Sequence, residues 1–186
     1  MAEQVGFTLR FPEGWSEVPA APDAAASARR RFVFAPREAA TGAQLVRAIA
    51  SIEVRPRRGI TVEQLLARAL SERPDASSPT PPPSAATSGA VPGGYRLWRR
   101  EADTVELAGL PCVVVHDVFR PAAGGHPALQ QRLLVTYFPP GGEVAVQFTL
   151  SSPDLLAFDD FLADGLAIAA TLTLSAPPID LKRTPA

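Results

Sequence analysis

The second half of the chain is a series of strand-like segments joined by very short turns, and this feature most constrains the fold. The segments are residues 95–107, 112–119, 130–138 and 143–150. The first two are separated by Ala-Gly-Leu-Pro at 108–111, and the last two by Pro-Pro-Gly-Gly at 139–142. A parallel crossover needs a much longer connection, so these segments are expected to form antiparallel hairpins.

Earlier segments are also expected to be strands. Residues 7–11 and 30–35 alternate apolar and polar side chains, which is the period of a half-buried strand. Residues 44–55 form a longer strand, in which one face is wholly apolar and the other is mixed. The apolar face consists of Val46, Ala48, Ala50, Ile52 and Val54. We therefore expect a sheet that is packed on one side and partly solvated on the other.

Two segments have helical periodicity. Residues 61–73 place apolar side chains at helical spacing, Thr61 and Gln64 match a capping box, and Pro74 ends the segment. The second helix is expected to begin at Ser152-Pro153-Asp154, with Leu155 in its inward stripe. The prediction is an α+β fold, a mostly antiparallel β-sheet covered by two amphipathic helices.

One domain accounts for most of the 186 residues. We expect a single domain over residues 1–174 and a loose C-terminal tail over 175–186. Residues 75–94 consist of Ser, Thr, Ala, Gly and Pro with few exceptions. Such a composition buries little apolar surface, so this segment is expected to be a flexible insert.

The composition excludes several classes of partner. A net charge of -1 and a pI near 6.1 do not favour nucleic acid or an anionic membrane. No stretch approaches the roughly 20 apolar residues that span a bilayer. The chain has one cysteine and no basic, apolar leader at its N-terminus. We therefore expect a cytoplasmic protein without membrane insertion.

The residues that could carry chemistry do not form a recognisable catalytic set. His116 and Asp117 are neighbours in a strand and must point to opposite faces, so they cannot form an orienting pair. Cys112 has no adjacent positive charge and is expected to be a small buried hydrophobe. We expect no enzyme activity, no cofactor and no metal site. The alternative is an enzyme or small-ligand site between sheet and helix, with His116, Arg132 and Tyr137 as its best residues.

An aromatic residue among arginines, Trp98, is the best candidate for partner binding. The sequence leaves two alternatives for it, a core residue that packs at a sheet margin and an exposed residue that faces a partner. Trp98 lies within Tyr-Arg-Leu-Trp-Arg-Arg at 95–100, and tryptophan and arginine are both enriched among interface anchors. The other basic cluster that could bind an acidic partner lies at Arg55-x-Arg57-Arg58. The candidate partner-binding residues are Trp98, Arg96, Arg99, Tyr95, Arg57 and Arg58. The expected partner is another protein, and neither its identity nor the oligomeric state follows from the sequence.

The opening segment resembles a known superfamily. Phe7-x-Leu9-x-Phe11-Pro12-x-Gly14-Trp15 looks like the start of the PsbP-like, or Mog-like, α/β/α sandwich proteins, and Leu-Ala-Gly-Leu-Pro at 107–111 is similar to their central turn. These proteins include the LpqN group and the DcrB and Eag chaperone relatives of bacterial secretion. The resemblance implies an α/β/α sandwich and a non-enzymatic, chaperone-like or adaptor-like function. A component of a larger assembly, such as a secretion system, is a further alternative.

Overall fold

The computed structural model describes residues 6–18, 29–35, 46–71, 95–121, 129–141 and 143–175. The predicted insert at 75–94 lies outside these residues, as does the predicted tail apart from Ser175. The strands and helices, in chain order, are β1 Gly6–Thr8, β2 Trp15–Val18, β3 Arg29–Phe34, β4 Ala48–Pro56, α1 Val62–Ser71, β5 Tyr95–Leu107, β6 Leu110–Pro121, β7 Gln130–Tyr137, β8 Val144–Ser152, α2 Phe161–Ala169 and β9 Thr173–Ser175.

Seven of the described strands form one sheet in the order β2-β3-β4-β8-β7-β6-β5. All of its neighbouring strands are antiparallel. The two-residue turn between β5 and β6 places Ala108 and Gly109 at φ 54° and 71°, which suits a hairpin turn of matching twist. The α+β prediction with a mostly antiparallel sheet is therefore confirmed.

One helix lies on each face of the sheet. On the α2 face, alternate strand residues such as Ile52, Leu133 and Phe148 are fully buried against α2. On the α1 face, Val113 and Val115 pack under α1. Most of the apolar face expected for residues 44–55 is part of the main core, since Ala48, Ala50 and Ile52 are fully buried and Val54 packs against them. Val46 is the exception, because it precedes β4 and is 53% exposed. Most of the buried apolar side chains thus lie on the α2 face of the sheet, and the α1 face carries more polar side chains.

The first helix begins as its sequence predicts. The backbone N–H of Gln64 donates to Thr61 Oγ1 at 3.2 Å, and the Thr61 N–H donates to Gln64 Oε1 at 3.1 Å. This reciprocal capping box satisfies two backbone donors that have no partner within the helix. It fixes the start of α1, and the apolar side chains of the helix pack over β5 and β6.

The expected start of the second helix at Ser152 is wrong. Ser152 ends β8, and its hydroxyl donates to the carbonyl oxygen of Arg47 at 2.7 Å instead of starting a helix. The helix begins only at Phe161, with Asp160 as the N-cap, whose carboxylate accepts from the Ala163 N–H at 2.9 Å. Leu155 therefore belongs to an irregular segment and is 41% exposed rather than inward-facing.

Two further features near the C-terminus were not expected. Strand β9 pairs with β1 as a separate two-stranded sheet, so Ser175 belongs to a strand rather than to a loose tail. Gly165 lies within α2 and directly faces the side chains of the sheet. A Cβ atom there would come within 2.5 Å of Leu133 Cδ2 and 3.0 Å of Leu150 Cδ2. The glycine allows α2 to approach the core.

Candidate functional site

The free edge of β5 carries the most exposed aromatic side chain of the described residues. Trp98 is 65% exposed, and Arg96 and Arg99 on either side of it are exposed as well. We call these three residues the edge surface. β5 is the terminal strand of the sheet, with β6 on one side and no described strand on the other. The edge surface therefore combines an apolar anchor, positive charge and an open strand edge.

A β-bulge determines how Trp98 is displayed. The pairing register between β5 and β6 shifts between Leu97 and Arg99, so Trp98 has no opposite residue in the ladder. A bulge bends the strand locally and redirects the side chain of the extra residue. The bulge does not end the strand, which continues from Tyr95 to Leu107.

The other predicted partner-binding residues do not all join the edge surface. Tyr95 begins β5, and its side chain lies outside the described part of the chain. Arg57 and Arg58 follow the C-terminal end of β4, a strand that lies four positions from β5 in the sheet. Along the strand direction, this end of β4 lies on the order of 25 Å from the level of Trp98. Arg57 instead lies 5.0 Å from the Phe138 ring centroid and donates to the Ile60 carbonyl at 2.7 Å.

The residues of the alternative pocket do not converge. His116 lies on the α2 face, where its ring stacks on Phe161 at 5.8 Å, and Tyr137 on the same face donates to the Ala169 carbonyl at 2.7 Å. Arg132 lies on the opposite face, where it donates to Asp117 at 2.5 Å. Among the described residues His116 Nε2 has no hydrogen-bond partner. The sheet separates this set, so the three side chains cannot act in one cavity.

The single cysteine has the environment of a core residue. Cys112 is fully buried, and its thiol donates to the Leu110 carbonyl at 3.2 Å. Burial raises the pKa of the Cys112 thiol to about 11. The reactive thiolate is therefore scarce at neutral pH.

An aromatic groove beside α2 is a site that the sequence reasoning missed. Its floor consists of half-buried side chains from the turn before β2, from β3 and from the segment before α2. The ring centroid of Trp15 lies 5.0 Å from that of Phe11 and 5.3 Å from that of Phe34. The ring centroids of Phe34 and Phe158 are 5.5 Å apart. The groove encloses about 530 Å³. The signal in the sequence is the Phe11-Pro12-x-Gly14-Trp15 segment, which supplies two of the aromatic rings but which the sequence connects only with the superfamily resemblance.

The rim of this groove is mainly acidic. Glu13, Asp159 and Asp164 line it together with a single cation, Arg10. Gly14 holds the turn at φ +90°, and a Cβ atom there would lie 2.9 Å from the Phe34 ring. The groove therefore depends on a glycine at this position, and its charge is opposite to that of the edge surface.

The described residues contain neither a cluster of metal ligands nor a helix that could span a membrane. No group of three or more His, Cys, Asp or Glu side chains among them could hold a metal ion. Neither of the two described helices is long and apolar enough to cross a membrane.

Comparisons with known proteins give similarity to solved structures only. No family model and no curated protein matches the chain. A crystal structure of a Bacteroides thetaiotaomicron protein is similar at a TM-score of 0.48 and 11% identity, covering 94% of this chain and 49% of that one. The chain thus spans about half the length of that protein.

A second similar structure is LpqN, described as involved in cell envelope biogenesis of Mycobacterium tuberculosis. Its TM-score is 0.45 and its identity 16%, with 95% of this chain and 87% of that chain covered. The LpqN group is among the proteins that the opening segment, residues 7–15, resembles. Both similarities concern the fold alone, and the function must be argued from the described surfaces.

Proposed function

We propose that this chain is a non-enzymatic protein-binding module, of adaptor or chaperone type, that holds its partner at the edge surface. One observation supports this most strongly, namely Trp98, which is 65% exposed at a bulge of the terminal strand. A large aromatic side chain is costly to leave in water, and burying one supplies much of the affinity of a typical interface.

The chemistry of the edge surface favours an acidic, extended segment as the partner. Arg96 and Arg99 flank the tryptophan, and Arg99 also pairs with Glu101. A guanidinium presents five N–H donors, so pairing with one carboxylate does not prevent contact with another. An extended segment could in addition pair with the outer edge of β5, on which no described strand lies, since such an edge is a template for strand addition.

The non-enzymatic part of the proposal is supported by the separation of the candidate catalytic residues. His116 and Arg132 lie on opposite faces of the sheet. We also propose a reducing, cytoplasmic location, supported by the single buried cysteine. Fractionation of cells that express the tagged chain tests this location, and recovery of the chain outside the cytoplasm would contradict it.

The binding proposal is tested with Trp98→Ala. Tagged wild-type chain and variant are expressed in the native cells and purified in parallel, and companions are quantified by mass spectrometry. A companion at stoichiometric amounts with the wild type should fall at least about tenfold with W98A, since an anchor of this kind contributes about 2 kcal/mol or more. Arg96→Glu should weaken the same companion by charge repulsion.

Val18→Ala serves as the matched control. Val18 is also a partly exposed apolar side chain on an edge strand, but it lies on β2 at the opposite side of the sheet. V18A should retain the companion at the wild-type level. If W98A and V18A retain it equally, the edge surface is not the binding site, and if repeated purifications of the wild type return no stoichiometric companion, the binding function itself is wrong.

A further inference from the structure

A small cavity lies between α1 and the sheet, apart from the edge surface. It encloses about 180 Å³. A single water needs only roughly 10–15 Å³ on this scale, so the cavity has room for a polyatomic ligand. Its floor is formed by β4, β5, β6, β7 and β8, and its roof by α1. The lining residues are Arg55, Leu65, Arg68, Ala69, Arg100, Val115, Arg132, Leu134, Thr136 and Gln147.

Four of the lining residues are arginines, and no acidic residue is among the lining residues described. Thr136 and Gln147 add a hydroxyl and an amide, both of which can donate hydrogen bonds. The remaining side chains are apolar and keep the local dielectric constant low, which strengthens any charge interaction inside. This chemistry suits a negatively charged ligand and disfavours a cation.

A buried carboxylate beside the cavity holds two of the arginines in place. Asp117 is fully buried and accepts from Arg100 Nε at 2.6 Å and from Arg100 Nη2 at 3.0 Å. Its Oδ2 atom also accepts from Arg132 Nη2 at 2.5 Å. The side chains of Arg100 and Arg132 are only 6% and 12% exposed. Their orientation is therefore set before any ligand arrives, which lowers the entropy cost of binding.

The arginines remain able to bind although they have partners in the protein. Arg55 pairs with Glu53, as Arg100 and Arg132 pair with Asp117. Each guanidinium has five N–H donors in a planar fork, so a carboxylate on one side leaves donors for an acceptor on another. Planar, two-point donation to the oxygens of phosphate or carboxylate is the interaction that arginine forms best.

We propose that this cavity binds a small oxyanion, of the size of a phosphate or a short dicarboxylate, between α1 and the sheet. The inference goes beyond the proposed protein-binding function. Trp98 does not line the cavity. Trp98→Ala should therefore leave anion binding unchanged, and either proposal can fail without the other.

The test uses inorganic phosphate and succinate as probes, each titrated into the 186-residue chain at constant ionic strength with sodium chloride. Isothermal calorimetry measures the affinity, and the melting temperature is followed in parallel. Saturable binding of one probe with a rise in melting temperature above the chloride reference supports the site. Tighter binding of phosphate than of succinate indicates that the ligand carries a phosphate group. Tighter binding of succinate indicates that the ligand is a carboxylate.

Arg68→Gln is the informative variant, because Arg68 lines the cavity from α1 and is exposed, so that its loss leaves the buried Asp117 cluster intact. Removal of one charge-assisted hydrogen bond should lower the affinity for the preferred probe by about tenfold. Arg31→Gln is the matched control, because Arg31 is an exposed arginine of β3 that lines neither the cavity nor the edge surface.

Two outcomes would overturn the proposal. One is that neither phosphate nor succinate shifts the melting temperature beyond chloride at the same ionic strength, in which case the arginines serve the fold alone. The other is that Arg68→Gln and Arg31→Gln weaken binding of the probe to the same extent, which would mean general attraction to surface charge.

Discussion

Asp117 and Arg100 face each other across the β5–β6 ladder and form a two-point ion pair that is almost completely shielded from water. The bonds from Arg100 to the two carboxylate oxygens measure 2.6 and 3.0 Å. Arg132, opposite Asp117 on β7, adds a third bond. Three adjacent strands of the sheet are thus joined by one buried carboxylate.

The first prediction concerns this carboxylate. Asp117→Asn should lower the free energy of unfolding by about 3–5 kcal/mol, because it leaves two largely buried guanidiniums without their counter-charge. Chemical denaturation by urea measures the loss. A variant that loses less than about 1 kcal/mol would show that Asp117 does not hold the three strands together.

The same residue should make stability depend on pH. Burial acts to raise the pKa of Asp117, but the hydrogen bond from Arg100 and the charges of Arg132 and Arg100 outweigh it and hold the pKa below its ordinary value. A lowered folded-state pKa contributes stability above the unfolded-state pKa of about 3.9 and loses it as pH falls through the lower folded value. Unfolding measured from about pH 6 to about pH 3 should therefore show a smaller pH dependence in D117N than in the wild type.

The contact between α2 and the sheet gives the second prediction. Gly165→Ala should destabilise the fold by about 1–3 kcal/mol, because the added methyl overlaps the packed side chains of Leu133 and Leu150. At an exposed helical position such as Ala163, alanine is instead more stabilising than glycine. Ala163→Gly should therefore lower the free energy of unfolding by about 1 kcal/mol. Thermal unfolding of both variants checks this contrast. A stabilised G165A would mean that α2 does not pack so closely.

The third prediction concerns the reactivity of Cys112. At about pH 8 a thiol reagent should modify the folded chain about a hundredfold more slowly than the urea-unfolded chain, because burial raises the thiol pKa to about 11. Absorbance of the released chromophore measures both rates. Cys112→Ser, which removes the only thiol, sets the background. Equal rates would contradict the buried position of this side chain.

The raised pKa of Cys112 also has a consequence at high pH. The unfolded chain releases the thiol proton near pH 9 or slightly below, whereas the folded chain holds it to higher pH. The contribution of this group to stability should therefore be lost as pH rises above about 9. Comparison of the wild type with C112S at about pH 7 and about pH 10 isolates this effect.

The capping box of α1 gives the fourth prediction. Thr61→Ala removes the acceptor of the Gln64 N–H and should lower the free energy of unfolding by about 1 kcal/mol. Thr61→Ser keeps a hydroxyl and should restore most of the loss. Urea unfolding of the two variants tests whether the hydroxyl, rather than the threonine methyl group, stabilises the start of the helix.

The fifth prediction separates binding from folding at Trp98. Because this side chain is 65% exposed, Trp98→Ala should change the free energy of unfolding by no more than about 0.5 kcal/mol. Urea unfolding of the isolated chain measures this. A loss above about 2 kcal/mol would show that Trp98 belongs to the packed structure, and a loss of partner binding in the variant could then be a folding effect.

Local patterns were sufficient for many elements because their causes are local. The alternation of β4, the short turns of the later hairpins and the hydroxyl of Thr61 each act within a few residues, and the structure has these elements where the patterns predict them. The opposite orientation of His116 and Asp117 likewise follows from the geometry of any strand.

The partner-binding set illustrates what local patterns miss. Trp98 and Arg57 were grouped by composition, but strand order separates them widely in the sheet. The start of α2 was misplaced because Ser152 suits an N-cap locally, while its hydroxyl bonds to the carbonyl of distant Arg47. Asp117 was noted only as a neighbour of His116, since nothing local indicates that two arginines on other strands surround it.

The amino-acid sequence by itself thus determined the alternating strands, the capped first helix and the antiparallel hairpins, all of which depend on residues close together in the chain. Tertiary structure alone decided that β4 pairs with β8, that Gly165 is the contact point of α2, and that four arginines line one cavity. The physical reason is that strand order and side-chain convergence depend on the total free energy of packing over the whole sheet. No single segment contains that information.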